Sequence, residues 1–157
     1  MYMKKHTDTR FKKAFVSGLL FVMTAGITAC GGAKTYKDGT YTAQSSVYEN
    51  DDGTDDGNGY GEVTLTIAGG KVTACEFKAY EPDGTLKDEN YGKVNGEVMN
   101  QDFFNKAQKA TAACDEYARM LVEAEGDVMK VDTISGATVN FNAFMEAVDE
   151  ALAQASR

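Results

Sequence analysis

The sequence predicts an α+β fold, in which a small antiparallel sheet is packed against helices and a strand-turn-helix unit lies at the C-terminus. Alternating, β-type patterning is confined to the first half of the chain, where residues 62–67 and 71–80 flank a Gly-Gly turn. Helical periodicity is confined to the second half, in residues 103–122 and again up to residue 155. Strands followed by helices favour a helix-covered sheet over an alternating α/β architecture.

The sheet is predicted from one hairpin and one strand before it. Glu62 to Ile67 alternates, with apolar residues on one face at Val63, Leu65 and Ile67. Gly69-Gly70 turns the chain, and the return strand is Lys71 to Tyr80. Its two predicted faces are Val72 with Ala74, and Thr73 with Cys75 and Phe77. Upstream, Thr35 to Val47 contains an Asp38-Gly39 turn pair and is predicted to form a first strand or a short hairpin.

Two helices are predicted from apolar stripes. The first spans Phe103 to Val122, with Asp102 placed to cap it and Gly126 placed to stop it. Its stripe is Phe103, Ala107, Ala110, Cys114, Tyr117 and Leu121. A short strand, Val128 to Val131, leads to the last helix, which ends near Ala155. The core face of that helix is predicted to carry Phe141, Phe144, Met145, Val148 and Leu152.

Length and charge narrow the classes of function. The 157 residues suffice for one domain with a real core. The net charge is -8. It becomes -12 without residues 1–29, because basic side chains outnumber acidic ones in that segment. Such an acidic body repels phosphate backbones, so we expect no nucleic-acid partner. The one histidine, His6, lies in the basic leader, so the body of the chain has no imidazole for catalysis or metal binding.

The N-terminus has the pattern of an export signal. A basic stretch ending at Lys12-Lys13 precedes an apolar segment that is short for a membrane span. Ile27-Thr28-Ala29-Cys30 followed by two glycines resembles the bacterial lipoprotein signal, in which the cysteine is lipid-modified. We therefore expect a signal peptide at 1–29, lipidation at Cys30 with a tether over 30–37, and a domain at 38–157. The alternative is a transmembrane anchor with a buried cysteine, and both place the domain outside the cytoplasm at a membrane.

Two other features have ordinary explanations. The acidic loop from Glu49 to Gly61 approaches the start of an EF-hand at Asp52, Thr54, Asp56 and Gly57. The ligand position that requires glutamate falls on Val63, so a solvated loop is favoured over a calcium site, and no metal is expected. Cys75 and Cys114 lie on apolar faces, so packing as free thiols is favoured over a disulfide.

The segment "DTISGAT", Asp132 to Thr138, lies where the last helix begins. The N–H groups of a first helical turn are unpaired and favour an anion, and Gly136 and Ala137 leave room for a phosphate. Thr138 and Ser135 add hydroxyls. From the residues alone, a plainer interpretation is favoured, in which Thr138 or Asn140 caps the helix and Gly136 forms a turn.

The same segment resembles the flavinylation signature of the FMN-binding domain family, which also occurs in the C subunit of sodium-translocating NADH:quinone reductase and the G subunit of the Rnf complex. In that family the last threonine forms a phosphoester with FMN, so the resemblance implies covalent FMN at Thr138. Asp132, Ser135, Gly136 and Ala137 match the rest of the motif. Further segments resemble flavin lipoproteins of Gram-positive bacteria, namely "DGTYTAQ", "NGYGEVTLTIAGGKVTACEF", "YGKVNGE" and "NQDFFNKAQ".

The resemblance implies a lipid-anchored electron carrier on the extracytoplasmic face of the cell membrane rather than an enzyme. A flavin transferase would modify it, a quinone-linked membrane oxidoreductase would reduce it, and an extracytoplasmic acceptor or reductase would oxidise it. Tyr60 and Tyr91, each beside a glycine, are candidates to stack on or gate the flavin ring, or they cover an edge of the core. The alternatives are a solute-binding or sensory lipoprotein that holds flavin reversibly, and a surface lipoprotein without a cofactor.

Overall fold

The structure, a computed structural model, describes residues 36–51 and 57–156. Three strands form an antiparallel sheet in the order β1-β2-β3, with β1 at Gly39–Gln44, β2 at Tyr60–Ala68 and β3 at Lys71–Tyr80. Two helices follow, α1 at Gln101–Glu123 and α2 at Thr138–Ala155. The first covers β3, and the second covers β1 and β2. The predicted α+β class, with helices on a small antiparallel sheet, is confirmed.

The core lies between one face of the sheet and the two helices. Val63, Leu65 and Ile67 are buried on β2, as their alternation predicts. Phe144 of α2 packs edge-on against Phe77 of β3, with ring centroids 5.0 Å apart. Both predicted helical stripes face this core. Their fully or nearly fully buried members are Ala107, Cys114, Tyr117, Leu121, Phe144, Val148 and Leu152.

The assignment of faces on β3 is corrected by a bulge. Ile67 pairs with Val72 whereas Thr66 pairs with Ala74, so Thr73 is an extra residue in β3. The insertion moves Val72 to the same buried face as Phe77 and leaves Ala74 exposed. The predicted sharing of a face by Val72 and Ala74 is therefore wrong, because strict alternation fails across a bulge.

Two further predictions also change. The segment predicted as a strand, Val128 to Val131, is a 3₁₀ helix at Val128–Lys130, because Asp127 accepts from the amide of Met129 and local i to i+3 bonds close the turn. The N-cap of α1 is Asn100 rather than Asp102, with its Oδ1 accepting from the Phe103 amide at 3.0 Å. The strand-turn-helix unit is thus a 3₁₀-turn-helix unit.

Other predictions are resolved more simply. The region predicted as a first strand or hairpin is the single strand β1. Cys75 and Cys114 are free thiols, the former half-buried and the latter buried. The leader and Cys30 lie outside the described residues, as do Asp52, Thr54 and Asp56 of the acidic loop.

The two ends of the molecule differ. At one end, the Lys37 amide donates to the Ala155 carbonyl at the last turn of α2, and Asp38 accepts from Gly70 in the hairpin turn. At the other end lie the first turn of α2, the start of β2 and the long connection from β3 to α1. The segment Asp132 to Thr138 therefore leads to the end of the molecule opposite to the first described residues.

Candidate functional site

The centre of the motif is a tight turn. The Ala137 amide donates to the Ile134 carbonyl at 3.0 Å, which closes a four-residue turn over Ser135 and Gly136. Gly136 has a φ of 84°, a conformation that glycine adopts without steric cost. Ser135 and Gly136 are exposed, whereas Ala137 is buried. The turn thus presents bare backbone and a hydroxyl to solvent on a buried support.

That support is the phenol of Tyr117 on α1. Its ring is fully buried, and its hydroxyl accepts from the Ile134 amide at 3.1 Å and donates to the Ala137 carbonyl at 3.2 Å. Burial raises the pKa of Tyr117, which keeps the hydroxyl protonated and able to donate. One side chain therefore holds both ends of the turn.

The first turn of α2 has no side-chain cap. Ala137 is the N-cap residue, and Thr138, the first helical residue, is exposed. The first intrahelical bond runs from the Phe141 amide to the Ala137 carbonyl, so three preceding helical amides have no acceptor in the helix. The Asn140 side chain instead donates to the Ala110 carbonyl at 2.8 Å and to Cys114 Sγ at 3.4 Å. In the plainer interpretation, the cap at Thr138 or Asn140 is wrong, whereas the turn at Gly136 is confirmed.

A cation lies beside this turn. A β-carbon built at Gly136 would be 3.7 Å from both Cδ and Nζ of Lys109, which is exposed on α1. None of the ion pairs among the described residues involves Lys109. The charge adds to the positive end of the α2 dipole at the same turn. The arrangement favours an anion with several oxygen atoms, such as a phosphate ester.

The start of β2 lies on the other side of Thr138. A β-carbon at Gly57 would be 3.3 Å from Val139 Cγ2, so this segment packs directly on the first turn of α2. Lys87 holds the segment, with its Nζ donating to the carbonyls of Gly57 at 3.3 Å and Asn58 at 2.6 Å. A small cavity here, about 10 Å³ and lined in part by Tyr60, is too small for a ligand.

A larger groove opens next to this segment. It has a volume of about 420 Å³, within the range of small-molecule sites. Tyr91 and Phe103 line it with their rings 6.4 Å apart and inclined by 64°. Phe103 precedes Lys109 by six residues on α1, about 9 Å along the helix axis at 1.5 Å per residue. A ligand held by its phosphate at the motif would have to span at least this axial distance to reach the groove.

The sequence match decides the family. A model of the FMN-binding domain matches residues 57–153, which is more than half of the chain. The chain belongs to the FMN-binding domain family. FMN is accordingly its cofactor.

The fold is similar to that of the CPE2226 protein from Clostridium perfringens, known from a crystal structure, which is 20% identical in sequence. The TM-score is 0.54, over 76% of this chain and 88% of that chain. A protein from Clostridium thermocellum, solved by NMR, is 24% identical over 77% of this chain and 93% of that chain, with a TM-score of 0.40. No curated protein sequence matches the chain.

The residues of this FMN-binding domain fit the cofactor. The exposed Thr138 hydroxyl, the uncapped amides of α2 and Lys109 suit the phosphate, because all three provide groups that pair with anionic oxygen. The groove suits the flat isoalloxazine ring, since Tyr91 and Phe103 offer aromatic surface. The positions of Lys109, Tyr117 and the groove follow from the fold, so they support the fit independently of the sequence motif.

The structure brings some of the predicted site residues together and separates others. Ser135, Gly136 and Thr138 are exposed around the buried Ala137, and Gly136 lies beside Lys109. Tyr91 lines the groove, as expected of a ring contact, and Tyr60 lines the small cavity with Val139. The Tyr60 ring is already stacked on Tyr80, with centroids 5.2 Å apart and planes inclined by 16°. Asp132 is exposed and precedes the turn.

Three functional candidates were missed from the sequence: Lys109, Tyr117 and Lys87. The first two lie on α1 and the third in the connection before it, so only the packing of α1 beside α2 brings them to the motif. Tyr117 is predicted from the sequence as a core residue, without a role for its hydroxyl.

No group of three or more metal-binding side chains is found within residues 36–51 and 57–156. Among the same residues, no helix combines the length and apolarity that a membrane crossing needs.

Proposed function

We propose that this protein is a lipid-anchored extracytoplasmic electron carrier whose FMN is attached to Thr138 through a phosphoester. A flavin transferase would install the cofactor, a quinone-linked membrane oxidoreductase would supply electrons, and an extracytoplasmic reductase or soluble acceptor would remove them. The observation that carries the proposal is the exposed Thr138 hydroxyl on an uncapped helix start beside Lys109.

Each residue at the turn has a separate task in attachment. Thr138 Oγ1 would lose its proton and form a bond to the phosphorus of the flavin donor held by the transferase. The bond from that phosphorus to the rest of the donor would break, and the rest of the donor would leave with the bridging oxygen and take up the proton. Lys109 and the amides of the first α2 turn neutralise the phosphate oxygens as they approach. Gly136 leaves the approach open, and Tyr117 holds the turn in place from below. Asp132 is exposed and is available for recognition by the transferase.

A covalent bond suits a carrier outside the cytoplasm. A cofactor that binds reversibly is lost by dilution, whereas a tethered one keeps a fixed local concentration. FMN supplies the reversible uptake of electrons, and the protein supplies its orientation and electrostatic environment. The groove lined by Tyr91 and Phe103 is open to solvent at its Met99 edge, where the side chain is 72% exposed. An open edge supports electron exchange with a docked partner more than chemistry on an enclosed substrate.

The decisive experiment is mass spectrometry of protein made together with a flavin transferase. We expect an increase equal to FMN minus one water, located on the peptide that contains Thr138. Thr138→Ala and the nearly isosteric Thr138→Val should both remove it while the fold is retained. A yellow colour that is lost on dialysis, with Thr138 unmodified, would favour the reversible flavin-binding lipoprotein instead.

The role of Lys109 is tested by the rate of modification. Lys109→Met should slow flavinylation by up to about fivefold, because an exposed charge contributes modestly. Lys106→Met removes the same charge one turn away on α1 and serves as the matched control. Equal rates for the two variants would remove Lys109 from the proposed phosphate surface.

Membrane attachment is tested separately. We expect the wild-type chain to remain with the membrane fraction and Cys30→Ala to abolish incorporation of labelled fatty acid. Retention of the label in Cys30→Ala would contradict lipidation at this position. Because Cys30 precedes the FMN-binding domain, the purified variant should still acquire FMN when it meets the transferase in vitro.

A further inference from the structure

Lys87 is a buried lysine that forms no ion pair with a carboxylate among residues 36–51 and 57–156. It is 6% exposed. Its ammonium instead faces the carbonyls of Gly57 and Asn58 and the ring of Tyr91, whose centroid is 4.8 Å from Nζ. These three partners match the three donors of an ammonium group. The positive charge is thus held in place without being neutralised.

A neutral donor would satisfy the same carbonyls at a lower desolvation cost. Burial lowers the pKa of Lys87, and the nearby carboxylate of Glu81 raises it in part. The lysine therefore needs an explanation beyond hydrogen bonding. Its position supplies one, because it lies between the two surfaces that fit FMN.

On one side, Lys87 lines the small cavity together with Val139 and Asn140, the two residues that follow Thr138. On the other side, its ammonium lies against Tyr91, which lines the 420 Å³ groove. A flavin that extends from Thr138 into the groove passes along this charge. Protein on the far side of Lys87 keeps solvent away and limits screening.

We propose that Lys87 is a positioning residue of the FMN site whose buried charge raises the midpoint potential of the cofactor. The proposal rests on the proposed placement of FMN, with its phosphate at Thr138 and its ring in the groove. Uptake of two electrons and one proton gives the flavin one more negative charge, which a fixed positive charge beside it favours. Lys87 thereby opposes the acidic surface of the chain, which has a net charge of -8 and favours the oxidised form.

The test is potentiometric titration of flavin-loaded protein with dithionite, comparing wild type with two neutral variants. Lys87→Met removes the charge with a side chain of similar length, and Lys87→Gln also keeps a donor for the Gly57 and Asn58 carbonyls. We expect each to shift the equilibrium between oxidised and reduced flavin roughly tenfold, about 30 mV more negative for a two-electron couple. Lys87→Arg, which keeps the charge, should return the potential towards that of wild type.

The matched control is Lys71→Met. Lys71 is exposed at the hairpin turn and pairs with Glu125 at 2.6 Å, at the opposite end of β2 from Asn58. Eight residue steps along this strand are about 26 Å, far beyond the screening length. The control loses the same unit of charge and should keep the wild-type potential.

The possible outcomes separate this inference from the proposed function. Intact mass reports whether FMN is covalent, and if it is not, the potentials are measured on the reversible complex. A wild-type potential in either neutral variant that is folded and holds FMN would overturn the proposal. That result, accompanied by faster hydrogen exchange in residues 57–59, would assign Lys87 a structural role alone.

Discussion

At the scale of single residues, the segment from Ser135 to Thr138 combines one buried residue with three exposed ones. Ala137 is buried and fixes the turn, whereas Ser135, Gly136 and Thr138 are exposed. The Asn140 side chain is occupied by α1, so it does not compete for the amides at the start of α2. Those amides consequently remain available to an anion. The local sequence suggested a cap here because Thr and Asn are common N-cap residues. The packing of α1 excludes Asn140 from this role, because its side chain is bonded to α1.

Gly136 has a backbone role that can be separated from its role in access. Gly136→Ala places a β-carbon on a residue with a φ of 84° and should cost about 1–2 kcal/mol of unfolding free energy. The added carbon would lie 3.7 Å from Lys109 Nζ, an ordinary contact that narrows the approach of a phosphate. We therefore expect slower flavinylation as well as reduced stability, measured by mass spectrometry and by denaturant unfolding.

Gly69→Ala provides the matched comparison. Gly69 has a φ of 62° in the hairpin turn, and a β-carbon there meets no atom within 4 Å. Its loss of stability should be similar to that of Gly136→Ala, but its flavinylation should proceed at the wild-type rate. If both variants are modified at that rate, access at Gly136 is unimportant.

At the scale of elements, α1 supports the motif although it contributes no residue to it. Tyr117→Phe removes the hydroxyl that bonds the Ile134 amide and the Ala137 carbonyl. The loss should cost about 1–3 kcal/mol, because it leaves a part-buried amide and a buried carbonyl without their partner. Flavinylation should also slow, since the turn is no longer held at both ends. Urea unfolding and the rate of FMN incorporation are the two measurements.

A second tyrosine provides the control for this variant. The Tyr41 hydroxyl donates to the Lys37 carbonyl at 3.0 Å in an exposed position on β1. Tyr41→Phe should change the unfolding free energy by less than about 0.5 kcal/mol and leave flavinylation unaffected. Equal effects of the two substitutions would indicate that Tyr117 has no special role at the turn.

The elements that the sequence predicted well are those with long, regular patterns. The hairpin, both helices and their core faces follow from periodicity, which reports burial on one side of an element. The errors occur where one local contact overrides the pattern. The bulge at Thr73 shifts a face by one residue, and the side chain of Asp127 closes a 3₁₀ turn where a strand was expected. Asn100 caps α1 because the helix begins two residues before its apolar stripe.

The sequence predicts the part of the candidate site that is contiguous in the chain, but not the residues that packing brings to it. The motif is contiguous in sequence, so Thr138 and the turn before it could be found by inspection. Lys109, Lys87 and Tyr117 are separated from it by about 20 to 50 positions, and their roles arise from the packing of α1 against α2. A lysine is a common surface residue, and its sequence context does not indicate that it lies beside a phosphate site.

At the scale of the whole molecule, the motif and the first described residues lie at opposite ends of α2. Lys37 bonds to Ala155 at the last turn, and the 18 residues of the helix span about 27 Å. Under the proposed lipid anchor at Cys30, the tether joins the domain at the end remote from the flavin. This arrangement favours a flavin directed away from the membrane when the domain stands upright, and towards it only when the domain tilts.

Stability of the whole domain should fall at alkaline pH because the thiol of Cys114 is buried. Burial raises its pKa to about 11, and the hydrogen bond from Asn140 lowers it in part. The unfolded chain ionises first, near the ordinary pKa of 9.0, so this stabilisation is complete below that pH and is lost as pH rises towards 11. The loss should be about 2 kcal/mol for this one group.

Cys114→Ala isolates that contribution. The variant should be less stable than wild type at about pH 8 under reducing conditions, through lost packing and the lost contact with Asn140. The difference in unfolding free energy should then shrink by about 2 kcal/mol as pH approaches 11, because only the wild-type chain has this thiol to ionise. Val148→Ala truncates an equally buried side chain that does not titrate, so its difference from wild type should stay constant with pH. A constant difference for Cys114→Ala as well would show that the thiol ionises equally in the folded and unfolded states.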